Sequence, residues 1–379
     1  MTKRRLRILV LLFTLAALFL LPFGFVSRAQ KRTSPRTVKT KPAPTPTPGP
    51  FDGLGAPPPV PTLKQKREEQ EVTPGDVISV NTTEVMIPVT VRDASGRLVN
   101  ELKVNDFRVF ENDRQQPLSD LALRQVPVDV VLMVDASSSV ATNLDDFRRA
   151  AEGFAARLTK DDRISLIKFD DRIELLQDWT HSRFQLQRAL ARIEPGMFTR
   201  FNDALFLAAQ EQFGETKSRR AVIVLSDGID SGRGSSTLES ALQALLRAQV
   251  SVYVVSNTQI SRAAKRAELD ALTGGSSGAV RFNQLRIDDL REGLRVLDLS
   301  EQMLAQLTEA TGGRLYKPES FEGLEATYAE VAEELRHQYA LYYTPLNKAR
   351  DGSFRRVRVE TTNPGYQSHT RVGYFAPKS

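Results

Sequence analysis

The chain has 379 residues, which is enough for two compact domains with extensions. It contains no cysteine, and this excludes disulfides, thiolate zinc sites, a cysteine nucleophile and a lipid-modified N-terminal cysteine. Ten of the 52 basic residues and none of the 46 acidic ones lie in residues 1–50, so the rest holds 42 bases against 46 acids and no nucleic-acid partner is expected.

Residues 1–29 predict a signal peptide or an N-terminal anchor. Four basic residues precede the apolar run of residues 8–26, and Ser27-Arg28-Ala29 offers small residues for cleavage after Ala29. The same run approaches the ~20 residues that a membrane-spanning helix needs, so an uncleaved membrane tether through residues 8–26 is the alternative. Both interpretations predict an exported protein, either periplasmic or extracellular, or anchored to the inner membrane.

Residues 30–75 have the composition of a spacer. They are rich in Pro, Thr, Lys and Gly, as in "KPAPTPTPGP" at residues 41–50. Such a segment cannot bury enough apolar surface to fold, so the sequence predicts a Pro-rich disordered linker here.

Short strands are predicted on both flanks of the remaining chain. In residues 76–125 the apolar side chains of Val85, Ile87 and Val89 alternate with other residues, which is typical of a strand. Residues 338–379 contain three further strand patterns, "QYALYYTP", "SFRRVRVETT" and "YQSHTRVGYF". Because neither flank has enough strands for a stable sheet alone, we expect both to join in one immunoglobulin-like β-sandwich.

Residues 126–337 show a different pattern, in which apolar strands alternate with helices. The strands "VDVVLMVD", "RISLIKF", "RAVIVLSD" and "VSVYVVS" are nearly continuous in Val, Ile and Leu. This predicts an α/β fold with a doubly wound, mostly parallel sheet, Rossmann-like, inserted into the sandwich. The pair "RISLIKF" and "RIELLQ" predicts a hairpin that adds one antiparallel edge strand. Residues 258–313 contain a long charged helical pattern but give no clear place in the fold.

Five oxygen-bearing residues are predicted to meet at one edge of this sheet. Asp135 ends the first strand and is followed by Ser137 and Ser139, Asp227 ends the strand "AVIVLSD", and Thr199 lies in a loop that opens a helix. Ligands of open α/β sheets bind outside the carboxyl ends of the strands. Carboxylates and hydroxyls without thiols or histidines suit hard cations, so the sequence predicts a site for Mg²⁺, or for Mn²⁺ or Ca²⁺.

The order of these motifs resembles a known family. "DASSS", then Thr199 four residues before "DA", then an apolar strand ending in "SDGID" look like the metal-ion-dependent adhesion site of von Willebrand factor type A (VWFA) domains. The resemblance covers about residues 127–332. The flanking patterns resemble a bacterial exported VWFA-related family, of the acidobacterial type, in which this domain sits between β segments.

The resemblance carries expectations about the site and its role. It implies that Ser137, Ser139 and Thr199 supply hydroxyl ligands, and that Asp135 and Asp227 bind the cation directly or through water. It also implies that the cation keeps an open position for an Asp or Glu side chain of a protein partner. The expected function is therefore divalent-cation-dependent protein binding, or adhesion, in the bacterial cell envelope, without enzymatic activity.

Other interpretations of the same residues stay open at this point. Asp135 and its serines alone could form a helix N-cap, while Asp203 and Asp230 are expected to support loops and not to bind the cation. A structural envelope scaffold, whose metal site is occupied but docks no partner, is one alternative function. A metal-dependent phosphatase-like hydrolase is less favoured, because Ser137 stands where such enzymes carry a second aspartate.

Overall fold

The structure is a computed structural model that describes residues 84–123, 126–137, 143–213, 218–275 and 277–378. The predicted signal peptide or anchor and the predicted linker lie outside these ranges. Within the described residues, no helix is both long and apolar enough to cross a membrane.

The described strands and helices follow one another in this order along the chain. The strands are β1 Val85–Arg92, β2 Phe107–Glu111, β3 Arg114–Gln116, β4 Leu118–Leu123, β5 Val128–Asp135, β6 Arg163–Phe169, β7 Ile173–Thr180, β8 Arg219–Leu225, β9 Ser251–Val255, β10 Leu315–Tyr316, β11 Tyr339–Tyr343, β12 Phe354–Thr361, β13 Gln367–His369 and β14 Gly373–Phe375. The helices are α1 Leu144–Arg157, α2 Arg183–Leu190, α3 Phe201–Leu207, α4 Leu238–Arg247, α5 Thr258–Thr273, α6 Ser277–Phe282, α7 Gln284–Thr311 and α8 Leu324–Arg336.

The middle of the chain forms a six-stranded sheet in the order β10-β9-β8-β5-β6-β7. Its strands pair in parallel except β7, which runs antiparallel to β6 at the edge. The predicted α/β fold with a mostly parallel sheet and one antiparallel edge strand is thus confirmed. β5 lies in the interior of the sheet and is buried along its whole length, as its apolar sequence predicts.

Helices cover both faces of this sheet because successive side chains of each strand point to opposite faces. Val130 and Leu132 of β5 pack with Phe147 and Phe154 of α1 and with α2 and α8 on one face. Met133, with other side chains on the opposite face, packs with α3, α4 and the C-terminal half of α7. Two separate apolar clusters therefore hold β5, and with it Asp135, in a fixed position.

The flanks form two antiparallel four-stranded sheets, in the orders β13-β1-β11-β4 and β14-β12-β2-β3. Each sheet takes strands from both flanks of the chain, and side chains of both sheets share one apolar cluster that includes Ile87, Val109, Leu341 and Val359. The six-stranded α/β unit thus lies between the two halves of the flanking sheets in sequence. The immunoglobulin-like character of this pair and the domain boundaries stay predictions.

Most described residues of the segment 258–313, whose place in the fold the sequence did not predict, form helices. α5 and α7 lie side by side and are joined by the short α6. Arg262 of α5 forms salt bridges with Asp298 and Glu301 of α7. At 28 residues α7 is twice as long as the 14-residue α1, which packs fully on the sheet.

Candidate metal site

The carboxyl ends of β5 and β8 place Asp135 next to Ser226 and Ser137. Val134 lies opposite Leu225 in the parallel register, so Asp135 and Ser226 follow as neighbours. Ser226 Oγ donates a hydrogen bond to Asp135 Oδ2 at 2.6 Å. The backbone N–H of Ser137 donates to Asp135 Oδ1 at 2.9 Å. Ser137 is thereby held beside the carboxylate, while Ser139 lies outside the described residues.

The turn after β8 fixes Asp227. Its side-chain Oδ1 accepts a hydrogen bond from the N–H of Ile229 at 3.1 Å, and its carbonyl oxygen accepts one from Ser300 Oγ of α7. Gly228 has a φ of 73°, and an added Cβ would lie 2.6 Å from a carbon of Leu304. Glycine is therefore required here both for the left-handed backbone and for the close approach of α7.

The Thr199 loop is tied to the neighbours of both carboxylates. The carbonyl oxygen of Thr199 accepts hydrogen bonds from Ser231 N–H and Oγ at 2.9 and 2.7 Å. On the other side, Gly196 N–H donates to the carbonyl oxygen of Ala136 at 2.7 Å. Ala136 follows Asp135, and Ser231 lies four residues after Asp227, so these bonds place buried Thr199 between the two acidic turns.

Asp203 and Asp230 support loops, as the sequence predicted. Asp203 accepts a hydrogen bond from Ser236 N–H at 2.7 Å and from Arg200 Nε at 3.0 Å. Asp230 accepts one from Asn202 N–H at 2.9 Å. Both carboxylates therefore connect the start of α3 with the loop that follows β8.

Burial dominates the electrostatics of the two central carboxylates. It raises the pKa of Asp135 to about 7, assisted by the negative charge of Asp227 and opposed by the hydrogen bonds from Ser226 and Ser137. Burial also raises the pKa of Asp227, against the N–H bond of Ile229 and the positive charge of Lys265. Within the described residues neither carboxylate forms a salt bridge. Two buried acids thus lie close enough to repel each other without a contacting protein cation.

The chemistry of these side chains fits a divalent cation. A cation between Asp135 and Asp227 would neutralise both, and Ser137 and Thr199 offer hydroxyl oxygens of the kind that hard cations prefer. No group of three or more His, Cys, Asp or Glu that could hold a metal occurs in the part of the chain described by the structure. Hydroxyl and water oxygens would therefore have to complete the coordination of a cation here.

Two residues that contact the acidic residues of this site were not predicted from the sequence. Ser226 could have been found, because it directly precedes Asp227 and the parallel register places it beside Asp135. Ser300 could not, because it lies 73 residues after Asp227 inside a helix with no motif around it. Its contact depends on how α7 packs against the sheet.

Fold and site together define an α/β domain with oxygen-bearing side chains at the carboxyl edge of its sheet. Residues 130–229 match the family described as von Willebrand factor type A domain. The α/β part of the chain therefore has a VWFA-like fold, as the sequence motifs implied. A search of curated proteins found no match.

Several solved structures are similar to part of the chain. Proximal thread matrix protein 1 of the mussel byssus, with a zinc-occupied MIDAS motif, is 16% identical over 59% of this chain and 49% of that chain, with a TM-score of 0.41. The vWF domain of the pilus tip protein Mfa5 of Porphyromonas gingivalis is 26% identical over 28% and 39%, with a TM-score of 0.26. A von Willebrand factor type A protein of Catenulispora acidiphila is 11% identical over 78% and 64%, with a TM-score of 0.42. The chain spans about half the length of the mussel protein and less than two thirds of the other two.

Proposed function

We propose that the chain is a divalent-cation-dependent protein-binding module of the bacterial cell envelope. Asp135, Ser137, Ser139, Thr199 and Asp227 hold the cation, which is Mg²⁺ or alternatively Mn²⁺ or Ca²⁺. The observation that carries the proposal is the pair of buried, mutually repelling carboxylates without a salt bridge in the described part of the chain. Burying uncompensated charge is costly, so a site of this kind favours a bound cation.

The protein's own residues have distinct tasks in this proposal. Asp135 and Asp227 supply the two negative charges, and the hydroxyl side chains add neutral oxygen ligands. When bound, the cation supplies a positive charge and an open position for an Asp or Glu side chain of the partner. Ser226 and Ser300 orient the acidic residues through the hydrogen bonds described above.

The remaining parts of the chain serve export and spacing in the same proposal. Residues 1–29 direct export as a signal peptide or hold the chain at the inner membrane, and residues 30–75 separate that end from the folded part. Residues 76–125 and 338–379 form the flanking sheets around the VWFA domain of residues 126–337. The match of residues 130–229 supports an interaction module and not an enzyme.

Cation-dependent capture tests the proposal. The purified full chain is incubated with an envelope extract of the source organism in Mg²⁺ or in EDTA, with Asp135→Ala and Asp161→Ala as paired variants. Asp161 is exposed and precedes β6, at the opposite edge of the sheet, so this variant should behave like the wild type. We expect a partner retained only with Mg²⁺ and lost in Asp135→Ala.

Three other outcomes separate the alternatives. Capture that survives EDTA, or that Asp135→Ala retains, contradicts recognition through the cation. Cation binding without any cation-dependent partner favours the scaffold. Turnover of a phosphate ester that Asp135→Asn abolishes favours the hydrolase.

A further inference from the structure

The helices between β9 and β10 extend beyond the edge of the sheet that carries the candidate metal site. Ser300 contacts the carbonyl oxygen of Asp227 at this edge, whereas Thr311 Oγ1 accepts a hydrogen bond from Val252 N–H near the opposite end of β9. Residues 284–299 therefore continue past the edge, and 16 helical residues cover about 24 Å. We call residues 258–299 the helical arm.

The arm is a packed structure and not a loose extension. Ile287 and Leu290 of α7 are almost completely buried. At the base, Arg262 holds Asp298 and Glu301 at 2.8 Å each. Nearer the tip, Arg286 pairs with Glu268 at 2.6 Å. Side chains of the arm are thus held in defined positions beyond this edge of the sheet.

Lys265 is a cation of the arm that lies between α5 and α7. It makes no salt bridge with any described residue, whereas the neighbouring acids Glu268 and Glu301 are already paired with Arg286 and Arg262. Its half-buried side chain lies across α7, where an added Cβ on Gly293 would be 3.3 Å from Nζ.

Helix geometry gives the position of Lys265 along α7. Gly293 lies seven residues before Ser300, so it lies about 10 Å farther along the helix than Ser300 and on the same face. The Lys265 ammonium group lies next to this position. Two cations of the described loops at this edge are engaged, because Arg233 stacks on Phe198 at 3.5 Å and Arg200 pairs with Asp203.

We propose that Lys265 is a second anchor for an acidic partner segment, with one partner carboxylate on the cation and a second on the Lys265 ammonium group. This inference rests on the function proposed above. An extended chain advances about 3.3 Å per residue, so carboxylates about 10 Å apart lie about three residues apart, and the flexible lysine widens this to two to four. The partner of this chemistry is an extended protein segment with two correctly spaced acidic side chains.

Defined peptides test the inference on the full chain. The probes are fluorescent, end-capped Gly/Ser peptides that carry one Asp, two adjacent Asp, or two Asp three residues apart, measured by anisotropy in Mn²⁺. The adjacent pair has the same net charge as the spaced pair and controls for non-specific attraction. Lys265→Gln is compared with Arg266→Gln, which removes an exposed cation from the next position of α5.

We expect the spaced diacid to bind wild type about two- to fivefold more tightly than either control peptide, the size of one exposed ion pair. This advantage disappears in Lys265→Gln, persists in Arg266→Gln and shrinks in high salt. An equal advantage in Lys265→Gln, or none in the wild type, overturns the inference.

The same experiment separates this inference from the proposed function. If calorimetry shows no Mn²⁺ binding, the metal site itself fails. If Mn²⁺ binds but no peptide binds in a cation-dependent way, recognition fails and the inference fails with it. If the single-Asp peptide binds through the cation but spacing makes no difference, the inference alone is wrong. Unchanged Mn²⁺ affinity of Lys265→Gln shows that the variant is folded.

Discussion

Two regions of the molecule bury carboxylates in opposite ways. In the flanking sheets, Glu111 accepts hydrogen bonds from Tyr343 and Tyr374 at 2.8 Å each and forms a salt bridge with Arg355 at 3.2 Å. At the metal-site edge, Asp135 and Asp227 have hydrogen-bond donors but no salt bridge within the described residues. The protein itself compensates the negative charge of Glu111, whereas it leaves the charges of Asp135 and Asp227 to a cation from solution. Burial of an acid is thus a sign of function only when the protein does not supply its counter-charge.

The largest expected effect on stability comes from the removal of the charge of Glu111, which Arg355 compensates. Glu111→Gln leaves Arg355, which is 3% exposed, as a buried cation without its acid. We expect the free energy of unfolding to fall by about 3–5 kcal/mol in urea denaturation. Glu360→Gln, which removes a half-exposed partner of Arg358, should cost less than about 1 kcal/mol. Similar losses for both variants would remove the distinction between the two regions.

The same acid-to-amide change should affect the free energy of unfolding with the opposite sign at the candidate metal site. In EDTA at pH 8, Asp135→Asn removes a buried charge beside Asp227, so we expect stability to rise by about 1–3 kcal/mol. In saturating Mg²⁺ only the wild type gains stability, because only it retains the site. Urea denaturation with and without Mg²⁺ measures both effects. A destabilised Asp135→Asn in EDTA would show that Asp135 is compensated as Glu111 is.

The raised pKa of Asp135 predicts how the metal-free protein responds to pH. Its folded-state pKa of about 7 lies above the ordinary value of 3.8, so the folded state holds the proton more tightly. This contribution to stability is complete below about pH 3.8 and is lost as pH rises through about 7, by at most about 1.4 kcal/mol per unit. Urea denaturation in EDTA from pH 5 to 8 should show a slope that Asp135→Asn reduces. Parallel curves for both proteins would contradict the assignment.

The smallest effect concerns the contact between α7 and the turn that follows β8. Ser300→Ala removes the hydrogen bond to the carbonyl oxygen of Asp227, worth about 0.5–1.5 kcal/mol. We expect the Mn²⁺ dissociation constant to rise about two- to tenfold in calorimetry. Gln302→Ala, at an exposed position of the same helix, should leave the constant unchanged. Equal constants for Ser300→Ala and wild type would show that α7 does not help to position Asp227.

More of the contacts at the candidate metal-site edge could be predicted from the sequence than of the contacts around it. Parallel strands end at one edge, so strand patterns alone predicted that Asp135 and Asp227 would meet there. Contacts that depend on packing between distant segments were not predictable. Ser300 reaches Asp227 only because α7 lies against the sheet, and Glu111 meets Arg355 only because β2 and β12, from opposite flanks, pair in one register.

A calorimetric titration of the full chain with Mn²⁺, beside Asp135→Asn, tests the central claim most directly. We expect one saturable cation site in the wild type and a dissociation constant that is higher on the order of 100-fold or more in Asp135→Asn, since even residues that only orient metal ligands contribute about 10- to 100-fold. Indistinguishable titrations of the two proteins, with or without binding, would contradict it.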